Sequence, residues 1–303
     1  MSTNIELSKT RDFGEIISDS FLFIRENLKP LLTCFFTFCG FFMLATIVLS
    51  YLEQTKMLGA MNTLGGDPNS FDTQTGPFAV FSRLLGVEYL FLIFFMFLNW
   101  TTMVVTVISY MAVYKAKGNI PPTTVEVWGY IKYYFFKIMG TIILTGISTA
   151  LGFVCCILPG IWLYPILALI VPIIIIENTS FGYAFSQSFR IIKENWWATF
   201  GALFVIGLIA SILVSVIVMP FGAANILTTF LHPNKGIHLN PTLTFISSVV
   251  NEIGHVFYIL PLVTLTLCYF NLTELKDATG LMDRINKLGN NDADNTNLPV
   301  EEY

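Results

Sequence analysis

Between Lys137 and Glu177 the chain carries no charged side chain for 39 residues, Ile138 to Ile176. About 20 apolar residues in a helix cross the roughly 30 Å hydrocarbon core of a bilayer. The interval is therefore long enough to cross twice. Leu158-Pro159-Gly160 stands near its middle and reads as the turn. Proline within a span is tolerated because neighbouring helices and waters can satisfy the carbonyls that it frees. The stretch predicts a transmembrane helical hairpin, with Pro165 and Pro172 able to break its second arm as in transporter helices.

The rest of the chain agrees. Apolar residues make up 54% and charged residues 12%, about half the share of an ordinary soluble domain. That balance overrides the two soluble domains that length alone would suggest and sets the expected fold class as all-α, a polytopic membrane protein. Six spans are expected, near residues 31–52, 89–114, 138–157, 161–176, 198–219 and 249–272. The fourth is short and would borrow flanking residues or thin the bilayer locally. No signal peptide is expected, because the first apolar run starts only at Leu31 and is too long for one.

Lysine and arginine set the expected orientation. The amino terminus, the 115–137 loop, the 177–197 loop and the carboxyl tail hold 13 of the 16; the alternate segments hold only Lys56, Arg83 and Lys235. The positive-inside rule then places both termini in the cytoplasm. A single membrane domain over residues 1–288 is expected, followed by an Asn- and Asp-rich tail, 289–303, with the composition of a disordered segment.

Two stretches repeat at an offset of 168 residues. Phe13 to Asn27 leads into the first span and Phe181 to Asn195 into the fifth, with eight of 15 positions identical. Each has a helical period. Phe13, Ile16, Ile17, Phe21, Ile24 and Leu28 share one face, while Arg25 shares the other with Asp12, Glu15 and Asp19. The later copy repeats the stripe, with Ser188 at an identical position and Arg190 and Trp196 suited to the headgroup level. A weaker third copy starts at Thr123, where Thr-x-x-Glu has capping-box spacing. The pattern predicts interfacial amphipathic helices near 11–28, 124–137 and 180–196. The expected organisation is three units, each a helix plus a transmembrane hairpin.

Leu158-Pro-Gly-Ile-Trp-Leu, the apolar run to Glu177, and Ala184-x-x-x-Ser188-Phe-x-Ile-Ile-Lys193-x-x-Trp196 together resemble a known pattern. It is similar to the membrane domain found beside some bacterial glycerophosphoryl diester phosphodiesterases and in stand-alone multi-pass proteins. The ending Tyr269-Phe-Asn-Leu-Thr-Glu274 resembles stand-alone members from Bacteroidota. The resemblance implies a bacterial inner membrane and this topology. It does not imply the phosphodiesterase, which belongs to a separate barrel with a His-Arg motif. Here the histidines are His232, His238 and His255, none followed by arginine.

Candidate chemistry is sparse. Glu252 and His255 stand three apart, on one helical face. Counting back from Leu272 puts them at the outer interface, where a water-exposed pair is the plainer reading than a proton relay. Asn99, near the middle of the second span, suits interhelical hydrogen bonding or a solute contact. Glu177 and Glu194 are expected to pair with Arg190 or Lys193 at the cytoplasmic surface. Five cysteines lack metal spacing and read as small apolar fillers. No cofactor, metal or nucleic-acid motif is found. The expected function is a non-enzymatic scaffold or accessory subunit, with membrane lipids and another membrane protein as partners. The alternative is a transporter or lipid-handling protein with a site between its hairpins.

Overall fold

The computed structural model describes residues 5–64, 86–231 and 240–277. Among these the regular structure is all helical: α1 (Phe13–Leu64), α2 (Val87–Ala116), α3 (Thr124–Cys155), α4 (Ile157–Ala168), α5 (Ile170–Ile176), α6 (Phe181–Ile192), α7 (Trp196–Leu231), α8 (Pro241–Gly254), a 3₁₀ turn (His255–Tyr258) and α9 (Ile259–Asp277). Six continuous or nearly continuous helical stretches are long and apolar enough to cross a membrane. The tail from residue 289, with His232 and His238, lies outside the described residues.

Local signals fix several helix ends. Thr123 forms the expected capping box with Glu126: its backbone N–H donates to Glu126 Oε2 at 2.7 Å, and its hydroxyl accepts from the Glu126 N–H. Lys117 adds an ion pair to Glu126 at 3.0 Å. Between α2 and α3 the chain turns through Gly118 and Asn119, both at positive φ, where glycine and asparagine are least strained. Asn240 caps α8 through the N–H groups of Thr242 and Leu243, with Pro241 in the first turn, where its missing N–H costs nothing.

The hairpin turns earlier than the sequence suggested. Cys156, in extended conformation, separates α3 from α4, and Pro159 sits inside the first turn of α4. A first-turn proline lacks an N–H that would have no helical partner anyway, so the helix begins before it. The two arms close through glycine: a Cβ on Gly152 would lie 3.2 Å from the Gly160 Cα. Lipid gives helices little hydrophobic reason to associate, so close backbone approach of this kind supplies the packing. The second arm is broken at Leu169, between α4 and α5. Pro172 cannot donate to the carbonyl four residues back, at Ala168, which accounts for the break there.

The expected interfacial helices differ in form. Residues 13–64 are one helix, and so are 124–155; only α6 is separate from the span that follows it. The break after α6 occupies residues 193–195. The inward face also differs from the apolar stripe. Ile16, Ser20, Phe23 and Asn27 are buried, while Phe13, Phe21 and Leu28 are more than two-fifths exposed. A membrane helix can turn phenylalanine to lipid and keep serine and asparagine for hydrogen bonds inside. The second copy buries Ala184, Ser188 and Ile191 at positions equivalent to Ile16, Ser20 and Phe23.

Helices α1 and α2 form the most extensive pair, with α9 and α5 completing the core. Tyr110 donates to Asn27 Oδ1 at 3.0 Å, and Phe23 packs edge-on against Tyr110 and Tyr114. Thr264 of α9 donates to Ser20 at 2.8 Å, and Gln54 donates to Ser248 of α8 at 3.0 Å. Ser20 and Gln54 would stand about 51 Å apart on a straight helix, further than their partners can. Helix α1 therefore bends, and its single internal proline, Pro30, removes a helical hydrogen bond from that stretch.

Candidate functional site

Asn99, Glu252 and His255 come together. The Asn99 amide nitrogen stands 3.5 Å from Glu252 Oε2, and His255 Nδ1 stands 3.3 Å from the same oxygen. Asn99 and Glu252 are buried, while the His255 side chain keeps about a quarter of its surface. Asn99 Oδ1 is buried with no hydrogen-bond partner among the described residues. The end of α8 and the 3₁₀ turn explain the approach. The turn interrupts the sixth span at His255, so Glu252 and His255 sit on either side of a change in helical pitch. Gly254 lies against Val214 and Val218 of α7.

The cluster lies deeper than counting from Leu272 suggested. Along α2, Asn99 stands about 24 Å from Lys115 and about 16 Å from Glu88. Glu88 pairs with Lys56 at 2.6 Å, marking the far end of the apolar stretch. The difference arises because the sixth apolar stretch starts at Pro241 and runs to Asp277, longer than the expected span.

Beside the cluster is a cavity of about 920 Å³. It lies between α3 and α4 on one side and α7 and α9 on the other, with Trp100 and Val104 of α2 also in its lining. Helix α3 packs on α2 and α4, and α7 packs on α8 and α9, so the gap between α3 and α7 is what remains open. Ile142, Phe153, Phe204 and Leu208 contribute apolar walls, and Tyr164, Thr145, Thr149 and Ser211 contribute hydroxyls. No charged side chain lines it among the described residues. The volume falls within the range of about 300–1,000 Å³ typical of small-molecule sites. Trp100 and Tyr258 line the cavity and meet edge to face, and Tyr258 also contacts the His255 ring. The cavity and the polar cluster therefore share a wall. Of the residues singled out in the sequence, none of the prolines Pro159, Pro165 and Pro172 lines the cavity, although Tyr164 beside Pro165 does.

The charged residues at the other end pair differently from expectation. Glu177 accepts from the Tyr269 hydroxyl at 2.8 Å. Arg190 pairs with Asp277 at 2.9 Å, and Glu194 with Lys276 at 2.6 Å. Both pairs end on α9, at Asp277 and Lys276, because α6 packs against that helix. The Lys276 ammonium hydrogen-bonds Glu194 and holds its carboxyl below the usual carboxylate range, while the nearby Glu177 carboxylate raises the Tyr183 hydroxyl above its own. Trp196 donates its indole N–H to the Trp162 carbonyl at 3.0 Å, tying α7 to α4. Phe13 lies against Gly201, and Arg25 lines an open groove on α1 with Lys29 and Phe36.

The sequence reading missed the amino-terminal segment. Ile5 and Leu7 are buried, and the Arg11 side chain is fully enclosed. Arg11 Nε bonds Asp19 at 2.8 Å, and its other nitrogens donate to the carbonyls of Leu7, Lys9 and Glu6. Apolar Ile5 and Leu7 so close to Arg11 were the available signal. Among the described residues no three His, Cys, Asp or Glu side chains converge as a metal site would require. No family model, curated protein or solved structure matches this chain.

Proposed function

We propose that this protein is a lipid-handling membrane protein that holds the apolar chain of a membrane lipid between its α3–α4 hairpin and α7. The observation that carries this reading is the 920 Å³ cavity, lined by apolar and hydroxyl groups. A charge-free lining suits an acyl or isoprenoid chain and gives a phosphate no partner. Access would come sideways from the bilayer, since the lining residues Phe153, Tyr164, Phe204 and Leu208 are each about half exposed.

The test is lipid analysis of the protein purified in native-membrane nanodiscs. A Cβ on Gly146 or Gly207, both cavity-lining, would meet nothing within 4 Å. The variant Gly146→Leu/Gly207→Leu should therefore narrow the cavity without a clash at Cβ. One lipid class enriched over the bulk membrane in the wild type, and lost in the variant, is the expected result. A lipid complement equal to bulk, and unchanged by the variant, would overturn the reading.

An accessory-subunit role is the second reading. It is supported by the lipid-side face of α3, where Phe136, Ile143 and Val154 are exposed in a helix with few inward contacts. A stoichiometric partner on co-purification would establish it. The setting we propose is a bacterial inner membrane with both termini cytoplasmic, following the lysine and arginine bias. Kinship with the membrane domain found beside glycerophosphoryl diester phosphodiesterases, without their catalytic barrel, belongs to the same proposal. So does a repeat architecture of helix-plus-hairpin units, supported by the matched burial of Ile16 with Ala184 and Ser20 with Ser188.

A further inference from the structure

A row of polar side chains continues from Asn99 along the buried interior of α2. Thr102, Thr106 and Ser109 follow it at helical spacing, so all four share one face. Thr106 and Ser109 are fully buried, and their hydroxyls have no partner among the described residues. In most membrane helices such hydroxyls bond back to the carbonyl one turn earlier, as Thr102 does to Leu98 at 2.8 Å. Thr101, also unpartnered, points to another side of the helix and is not part of the row. Below Ser109 the row reaches Tyr110, whose hydroxyl already bonds Asn27.

We infer that Glu252 and His255 form a proton-binding site inside the membrane, reached through buried waters held by Asn99, Thr102, Thr106 and Ser109. Each part of the geometry has a chemical reason. Side chains three or four apart on a helix are about 5–6 Å apart, the span of one water accepting and donating across two hydroxyls. A buried water needs two to four polar partners, which the unpartnered hydroxyls and carbonyls of this row supply. At the head of the row, Asn99 can serve both states of Glu252. Its amide N–H faces the carboxylate as it stands. When the carboxylate takes a proton, the new O–H needs an acceptor, and half a turn of the amide presents Oδ1, the atom now without a partner. The proton adds to Glu252 and no other bond is made or broken.

One further carboxylate stands near the site: Glu53 of α1, whose Oε1 is buried with no hydrogen-bond partner among the described residues. From α8 and the 3₁₀ turn, His255 and Tyr258 face it; from α2, Asn99. On α1, Glu53 lies beside Gln54, whose partner Ser248 is one turn from Glu252. Glu88 of α2 is committed to Lys56 further out. Helix α7 carries no charged residue along its length. An ionisable pair in such a place is costly to keep without a use. The inference does not depend on what fills the neighbouring cavity.

The test is an infrared pH titration of the full-length protein in nanodiscs, followed by exchange into heavy water. A protonated-carboxyl absorption that disappears as pH rises, and is absent in Glu252→Gln, is the expected result. Thr106→Val/Ser109→Ala should keep that absorption but slow its deuterium shift by roughly tenfold, equivalent to about 1.4 kcal/mol of added barrier. His255→Gln provides a check that leaves the carboxyl in place, and it should move the titration midpoint. An absorption that does not titrate, or that is insensitive to both Glu252→Gln and His255→Gln, would overturn the site. Exchange at the wild-type rate in the hydroxyl variant would overturn the path.

Discussion

The backbone N–H of Arg11 donates to Asn271 Oδ1 at 2.7 Å, across 260 residues of sequence. That bond fastens the amino-terminal segment to α9, and the enclosed Arg11 side chain, bonded to Asp19 and three carbonyls, fixes the segment's own shape. Asn271→Ala leaves a buried N–H without its partner. It should lower stability by about 1–3 kcal/mol, read as a fall in the thermal unfolding midpoint in detergent. An unchanged midpoint would mean that the segment does not close on the bundle.

Gly160 tests the hairpin. A Cβ there would lie 2.6 Å from the Phe153 ring. Gly160→Ala should cost about 1–3 kcal/mol through overpacking, and Phe153→Ala in the same chain should relieve part of it. Gly140→Ala, where the space is open, serves as the control and should be neutral or slightly stabilising, since alanine favours a helix interior. Equal effects at the two glycines would argue against the close α3–α4 contact.

The Glu194–Lys276 contact carries a pH dependence of definite sign. The hydrogen-bonded ammonium lowers the Glu194 carboxyl from its ordinary value. A depressed carboxylate contributes stability above its unfolded value and loses that contribution as pH falls through the folded value. The attachment of α6 to α9 should therefore weaken on acidification below the ordinary glutamate range, and Glu194→Gln should remove that component. The effect is small because the pair is exposed to solvent. Hydrogen exchange of the α6 amides against pH measures it directly; a profile identical in the variant would rule out this contribution.

Cysteine labelling tests the orientation. Cys155 and Cys156 are exposed at the hairpin turn, whereas Cys34, Cys39 and Cys268 are buried. With cytoplasmic termini, a membrane-impermeant maleimide added to intact spheroplasts should label the wild type at the turn. Cys155→Ser/Cys156→Ser should abolish that signal. Labelling only after the membrane is opened would invert the proposed topology.

Much of this was legible in the sequence because it is a local property. Charge-free runs of sufficient length mark spans one residue after another, and Thr123 with Glu126 marks a helix start within four residues. Pro165 and Pro172 marked the fourth arm as breakable, and the break falls at Leu169, which Pro172 accounts for. What was left open or misread depends on rotation and partners. The apolar stripe of Phe21 and Leu28 could meet acyl chains or the bundle; both are exposed here, and Ser20 and Asn27 turn in. Hydropathy does not separate lipid from core, because both are apolar. Arg190 was expected to pair within its own loop and instead reaches Asp277 of α9.

The sequence by itself determined the class of protein, six long apolar crossings and the turn between the third and fourth to within a few residues. The reason is that lipid leaves a long apolar segment little choice but a helix that satisfies its own backbone. Only the tertiary structure decided that Asn99 meets Glu252 from 153 residues away. It also decided that the cluster lies within the apolar stretch, that an apolar cavity opens beside it, and that residues 5–12 close on the bundle. Those outcomes depend on how each helix is rotated, bent and offset against its neighbours, through contacts such as Ser20 with Thr264 and Gly254 with Val214. Such contacts are pairwise and long-range, and no window of sequence contains both partners.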